Sequence, residues 1–213
     1  MTKNVWDALL SNVQSKDIQI IKDPLNVHIT RCDNRDIKYI VVHYTGSGNS
    51  KPGKAKSTKA SFISRSASAD FCIDDANIVQ FNPDIKNYYC WHCGGNKYPN
   101  TKGAKFYKKC TNKNSIGIEI CSTNTGTFSA TNHSGWSYTE QVLDNAEQLI
   151  KYLMKKYNIS VDNVIRHYDV SGKHCPGIIG WNDEPITDPK TGKNTGSWNN
   201  SEQWFKFKQR LIN

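Results

Sequence analysis

Two short apolar runs do most to limit how this chain can fold. Ile37–His43 is rich in β-branched residues and is bounded by polar residues and Gly46, and Ser115–Cys121 is a second run of the same kind. β-branched side chains are stiff at χ1 and pack well on a pleated surface, so each run predicts a buried strand. Phe71–Ile73 and Ile78–Phe81 flank Asp74-Asp75-Ala76-Asn77, the pattern of a hairpin. Val164–His167 predicts a further short strand. Residues 45–60 are rich in Gly, Ser and Lys and predict a long loop. Residues 82–113 and 169–200 also have a loop-like composition, and 122–137 are small and polar.

The clearest helix is 139–157, where Val142, Leu143, Ala146, Leu149, Ile150, Leu153, Met154 and Tyr157 recur at helical spacing. Thr139 is positioned as its N-cap, with Glu140 in the first turn and Lys155-Lys156 in the last. Ser201–Ile212 predicts a terminal helix with Trp204, Phe205, Phe207 and Leu211 on its buried side. Strands and helices are mixed without regular β-α-β repeats. The expected fold is therefore α/β, a mixed central β-sheet flanked by helices. Residues 1–36 begin with a short amphipathic stretch (Val5, Trp6, Leu9, Leu10, Val13) and are expected to be an N-terminal extension packing on the domain formed by 37–213.

The length of 213 residues suits one domain with elaborations. The formal net charge of +9 favours polyanionic partners, nucleic acid or an anionic wall polymer among them. The lysines are scattered through loops, at Lys51, Lys54, Lys56 and Lys59 and at Lys102, Lys105, Lys108 and Lys109. With no recognition motif to carry them, nucleic acid is not expected as a partner. The N-terminus lacks the apolar core and cleavage site of a signal peptide, and no run approaches a membrane span. Synthesis in the cytoplasm is expected, without membrane insertion and with most of the seven cysteines free. The count is odd, so at least one thiol is unpaired or does chemistry. Cys90-x-x-Cys93 could hold a metal, act in redox or form a disulfide. A second pair at that spacing is missing, and Gly94-Gly95 argues against the helix that redox motifs open.

His43 ends one predicted strand and His167 ends another, and Cys175 follows eight residues later in Gly172-Lys173-His174-Cys175-Pro176-Gly177. Two imidazoles and a thiolate make a three-ligand zinc set that leaves a fourth position for water. A packed His and a buried Cys would account for each residue taken singly. The pair of segments is more specific, since each reads strand, His, then a turn of small residues.

The segments Ile40-Val41-Val42-His43-Tyr44-Thr45, Ser68-Ala69-Asp70-Phe71, Ser115-Ile116-Gly117-Ile118-Glu119-Ile120, and Arg166-His167-Tyr168-Asp169 through Lys173-His174-Cys175-Pro176-Gly177 occur in the family order of the N-acetylmuramoyl-L-alanine amidases. The chain resembles those of the phage-lysozyme and peptidoglycan-recognition-protein type, from about residue 37 to 177. The resemblance implies zinc (Zn2+) held by His43, His167 and Cys175 at the strand ends, in a surface cleft. It implies Glu119 as general base and Lys173 as the cation facing the oxyanion. It implies peptidoglycan as substrate, met at the bacterial wall after release from the cell. His92 resembles a residue at the family's cleft rim and is expected to bind substrate, with Trp91 and Asn114 as further candidates. From residues alone, Glu119 could instead be an edge-strand carboxylate facing water, Lys173 an ordinary loop lysine and Trp91 a packing residue. Some phage relatives carry a tyrosine just before the strand that starts at Phe71. This chain has Ala69 there, which shifts the expected work onto Glu119. A non-catalytic peptidoglycan-binding module of the same fold is the alternative. Such modules usually lack a zinc ligand, whereas all three positions are filled here.

Overall fold

Isoleucine and valine of the two buried runs alternate between opposite faces of one sheet, and each face is covered by a different part of the chain. The computed structural model describes residues 19–46, 48–99, 101–124, 135–183, 185–187, 194–198 and 200–213. The stretch Val5–Val13 thus lies outside the described residues. The strands are β1 (Ile20–Lys22), β2 (Ile29–Arg31), β3 (Tyr39–Tyr44), β4 (Phe71–Ile73), β5 (Ile78–Gln80), β6 (Tyr88–Cys90), β7 (Ser115–Ile120), β8 (Thr123–Asn124), β9 (Trp136–Ser137), β10 (Val164–Arg166), β11 (Pro185–Thr187) and β12 (Asn194–Trp198). The helices are α1 (Lys54–Ser64), α2 (Glu140–Tyr157), α3 (His167–Ser171) and α4 (Glu202–Arg210).

The main sheet has six strands in the order β1-β5-β4-β7-β3-β10. β4 and β5 form the expected antiparallel hairpin. The β1–β5, β4–β7, β7–β3 and β3–β10 pairings are parallel, so the sheet is mixed. β7 is central, and Glu119 is therefore not on an edge strand.

Successive strand residues point to opposite faces. Ile40 and Val42 of β3 and Ile116, Ile118 and Ile120 of β7 join the core that includes Val142, Ala146, Leu149, Ile150 and Leu153 of α2. Thr139 caps α2 as expected, its hydroxyl accepting from Val142 N at 3.1 Å. The terminal helix α4 adds Trp204 and Phe207 to the same core. The opposite face carries Val41, His43, Ser115, Gly117 and Glu119, partly covered by Cys93, Cys110 and Val170.

Phe205, expected on the buried side of α4, is 62% exposed, and three further expectations change. Residues 54–64 are helix α1 rather than part of a loop. Its buried face is only Ala55, Thr58 and Phe62, too sparse to stand out among lysines and serines. Its first turn is capped from another segment: Asp74, in the β4–β5 turn, accepts from Ala55 N at 2.9 Å. Second, His167 does not end a strand but opens α3. The Asp169 carboxylate accepts from Arg166 N at 2.9 Å and from the Arg166 side chain, which turns the backbone one residue early. Third, residues 169–200 are not one loop: they contain the rest of α3 and the antiparallel β11–β12 pair.

Arg35 ties the loops to the sheet. It is 1% exposed and donates to the carbonyls of Lys113, Ile85, Tyr88, Asn112 and Ser115. Its guanidinium also lies 3.7 Å from buried Asp70. Removing one member of a buried ion pair leaves the other charge uncompensated. Arg35→Met should therefore cost about 3–5 kcal/mol of stability. Arg31→Ala, which removes an exposed pair with Asp33, should leave the thermal unfolding midpoint nearly unchanged. Equal midpoints for the two variants would show that Arg35 carries no such share.

Candidate metal centre

β3 delivers His43 one residue before its end, and β10 hands over directly to His167 at the start of α3. Gly172, at φ 82°, ends α3 in the left-handed region that favours glycine. The chain then turns back, and Tyr168 N donates to Cys175 O at 2.9 Å. This brings His43, His167 and Cys175 together. All three are buried, and their potential ligand atoms lie within 4.8 Å of one another. Among the described residues no other group of three or more His, Cys, Asp or Glu could hold a metal ion.

The donors fit a metal. His43 Nδ1 lies 3.6 Å from Cys175 Sγ. Zinc–nitrogen and zinc–sulfur bond lengths give a tetrahedral edge of about 3.5 Å between such donors. His167 Nδ1 is buried with no hydrogen-bond partner among the described residues, and so is Glu119 Oε2. Buried polar atoms without partners are costly, and an ion with its water would satisfy both.

The electrostatics favour the same use. Burial lowers the pKa of His43, helped by His167, His92 and Lys173. Burial first, then Lys173 and His92, brings His167 down to about 3. Both rings are thus neutral at ordinary pH, the form in which an imidazole can bind a metal. Burial and the charge of Glu119 push the Cys175 thiol up to about 12, against the pull of Lys173. A cation between the three is what would favour the thiolate. Burial also raises Glu119 to about 7, with Lys173, His92 and Arg65 opposing.

Glu119 is the direct cross-strand partner of His43 in the β3–β7 register. In a parallel pair the two side chains share a face, so the carboxylate stands beside the ligand set. Lys173 is exposed, and its charge acts on His43, His167, Glu119 and Cys175. The structure does not place His92 at a rim. Its side chain is buried beneath His43, because Gly117 leaves room for the ring: a Cβ there would stand 2.5 Å from His92 Cγ. Asn114 is not brought to the site either. Its amide closes a local turn, accepting from Thr111 N at 2.8 Å and donating to Lys109 O at 2.9 Å. It also precedes Glu119 by five residues, about 16 Å of strand. Trp91 is 38% exposed and donates to Thr30 Oγ1 at 2.9 Å, with its ring against His28.

Sequence reasoning assigned nothing to Tyr44 or Tyr138. Both phenols are raised by burial first and then by Cys175 and Glu119, yet both rings pack in the core on the α2 face, Tyr44 against Trp136 and Tyr138 against Trp181. Tyr44 follows His43 directly, a signal that was available. Tyr138 arrives from the segment before α2, and no local pattern ties it to the site. A concavity of about 1070 Å³ lies elsewhere, lined by residues such as Arg35, Lys156 and Tyr157.

The fold and site thus define a mixed-sheet α/β protein with a buried two-His, one-Cys cluster beside a carboxylate, a set that could hold a metal ion. The sequence matches the family described as N-acetylmuramoyl-L-alanine amidase over residues 33–178, and the chain belongs to that family. It is 36% identical to the N-acetylmuramoyl-L-alanine amidase CwlH of Bacillus subtilis over 141 residues, covering 65% of this chain and 46% of that one. It is 35% identical over 141 residues to XlyA of the same organism, covering 65% of this chain and 39% of that one. The chain thus spans less than half the length of these two relatives. The solved catalytic domain of XlyA is similar at a TM-score of 0.55 and 27% identity, covering 91% of this chain and 99% of that domain. A structure of AmpD, at 20% identity and a TM-score of 0.53, shares the fold.

In chelator, the unfolding midpoint should fall as pH drops below about 6.5, the ordinary His value. The unfolded imidazoles take up protons there, whereas folded His167 stays neutral down to about 3. Stability present above pH 6.5 is lost between those limits, and the loss should shrink in His167→Asn. A midpoint with the same pH dependence in both proteins would contradict the assignment of neutral buried rings.

Proposed function

We propose that this chain is a zinc-dependent amidase that cleaves the bond between N-acetylmuramic acid and L-alanine in peptidoglycan. The observation that carries the reading is the buried His43–His167–Cys175 set with Glu119 as the cross-strand neighbour of His43. The names of CwlH and XlyA, both N-acetylmuramoyl-L-alanine amidases, support it. One similar structure is titled a mutant endolysin from Bacillus subtilis, which supports a lytic role at the wall after release from the cell.

His43, His167 and Cys175 would hold the zinc, which would supply Lewis-acid chemistry for a bound water and the scissile carbonyl. The protein's own groups do the rest. Burial holds the Glu119 carboxyl up at about 7, where it can take a proton from the attacking water and return it to the leaving alanine amine. Lys173 supplies a cation from the exposed side, toward the carbonyl oxygen as that oxygen gains charge. The filled ligand set and the raised Glu119 favour catalysis over a module that only binds wall fragments.

Glu119→Gln keeps the shape of the side chain but cannot accept a proton. Turnover on purified walls should fall by about 10²–10⁴ while zinc content stays at one equivalent. Mass spectrometry of wild-type digests should show free L-alanine amino termini. Near-normal turnover in Glu119→Gln would remove the carboxylate from the mechanism. Cys175→Ser should lose zinc and turnover together, and full zinc occupancy in that variant would refute the ligand set.

The formal charge of +9 suits attraction to anionic wall polymers. Binding of Glu119→Gln to whole walls should weaken as salt rises from about 0.05 to 0.5 M, since exposed charges are screened. Sugar stacking on Trp181 or Trp204 is not an alternative source of binding, because both rings are 3% exposed in the core. Binding that ignores salt would overturn the electrostatic reading.

A further inference from the structure

His92 takes no part in the chemistry just described, yet its ring is buried against a ligand. His43 Nε2 lies 3.2 Å from His92 Nδ1. On the far side of the ring, His92 Nε2 lies 3.2 Å from Ser115 Oγ. Ser115 Oγ in turn lies 2.6 Å from the Thr111 carbonyl. Cys93 Sγ also lies 3.6 Å from Ser115 Oγ. With His92 as the neutral ring, these contacts set which nitrogen carries each proton. A carbonyl only accepts, so the Ser115 hydroxyl donates its single proton to Thr111 O. It can then only accept from His92, which carries its proton on Nε2 and accepts at Nδ1. His43 must donate from Nε2, and its remaining lone pair is on Nδ1. That is the atom 3.6 Å from Cys175 Sγ.

We infer that His92 is a positioning residue: through Ser115 and the Thr111 carbonyl it holds His43 in the tautomer and orientation that present Nδ1 to the metal. Outer partners of this kind orient a ligand ring and raise its basicity. Two further features hold His92 in place. Gly117 gives its ring space, since a Cβ there would collide with the ring. Asp70 stands 4.0 Å from His92 Nε2, with its own oxygens engaged by Gly117 N at 2.7 Å and Asn82 Nδ2 at 2.6 Å. The negative charge on that side favours the proton at Nε2. The same geometry accounts for the glycine in Ser115-Ile116-Gly117: Ser115, Gly117 and Glu119 share one face, as acceptor, ring seat and base.

The inference rests on the zinc reading above, and the test separates the two. Zinc affinity is measured by chelator competition on the intact protein, with the unfolding midpoint in excess chelator as the check on folding. Wild type should bind one equivalent. His92→Phe fills the site without an acceptor, and its zinc dissociation constant should rise about 10–100-fold. His92→Asn places an oxygen near the position of Nδ1 and should recover most of that loss. Ser115→Ala keeps the ring but frees its tautomer and should fall between them. Long-range ¹H–¹⁵N spectra of the zinc-loaded wild type should show both His43 and His92 protonated at Nε2, a signature that a merely structural ring would not produce. Wild-type affinity in His92→Phe, Asn binding as weakly as Phe, or a proton on His92 Nδ1 would each overturn the inference while leaving the zinc site standing. A wild type that binds no zinc would overturn both. Should His92→Phe fail to fold, Ser115→Ala and the tautomer spectra still decide.

Discussion

The parallel pairing of β3 with β7 is the constraint on which the rest of the molecule depends. Its register sets His43 opposite Glu119 and Val41 opposite Gly117, and it sets Ile40 and Val42 opposite Ile116 and Ile118. One set of alternating positions is wholly apolar and seats α2. The other set carries the polar groups of the site. A slip of one residue would exchange the two sets, burying Glu119 under α2 and turning isoleucines toward the metal ligands. Burial of the α2 face is therefore also what holds the site in register.

The polar face is costly to bury, and the structure offsets that cost with groups that have little freedom. Arg35 binds five carbonyls and faces Asp70, which fastens the start of β7 and the 85–88 loop around the ring of His92. Arg166 pairs with Asp169 and also donates to Trp181 O and Ser201 Oγ, which links the turn that carries His167 to the start of α4. These charges are satisfied within the protein. The buried atoms left without partners at the centre, His167 Nδ1 and Glu119 Oε2, lie where the proposed ion and its water would bind. The site is thus stiff around its edge and unsatisfied at its middle, the arrangement expected of a preorganised metal site.

Much of the frame was legible locally. The Ile37–His43 and Ser115–Cys121 runs, the hairpin around Asp74–Asn77 and the helix beginning at Thr139 all appear as expected, because each is specified by neighbours in sequence. Helix α1 was not legible, since its capping group, Asp74, comes from another segment. The start of α3 at His167 depends on a carboxylate two residues further on, a detail that strand propensity overrides in a window that short. At the site, the order of His43, Glu119, His167 and Cys175 was readable as a pattern. His92 was expected at a rim because the segment Trp91-His92-Cys93-Gly94 resembles one at the family's cleft rim. Only the absence of a side chain at Gly117, in a different strand, draws its ring inward.

By itself, the sequence determined which residues could be ligands, because that depends on chemical type and on strand and turn signals within a few positions, while the base and the cation were implied by the family resemblance. It also determined that an apolar sheet face and an apolar helix stripe had to meet, because neither is stable in water alone. The tertiary structure alone decided the distances and the proton positions. It set His43 Nδ1 beside Cys175, separated by 132 residues, and passed the tautomer choice from the Thr111 carbonyl through Ser115 and His92. It also withdrew Asn114 into a turn at the far end of β7. Such properties belong to contacts between segments far apart in the chain, and a hydrogen bond or a desolvated charge exists only once those segments have packed together.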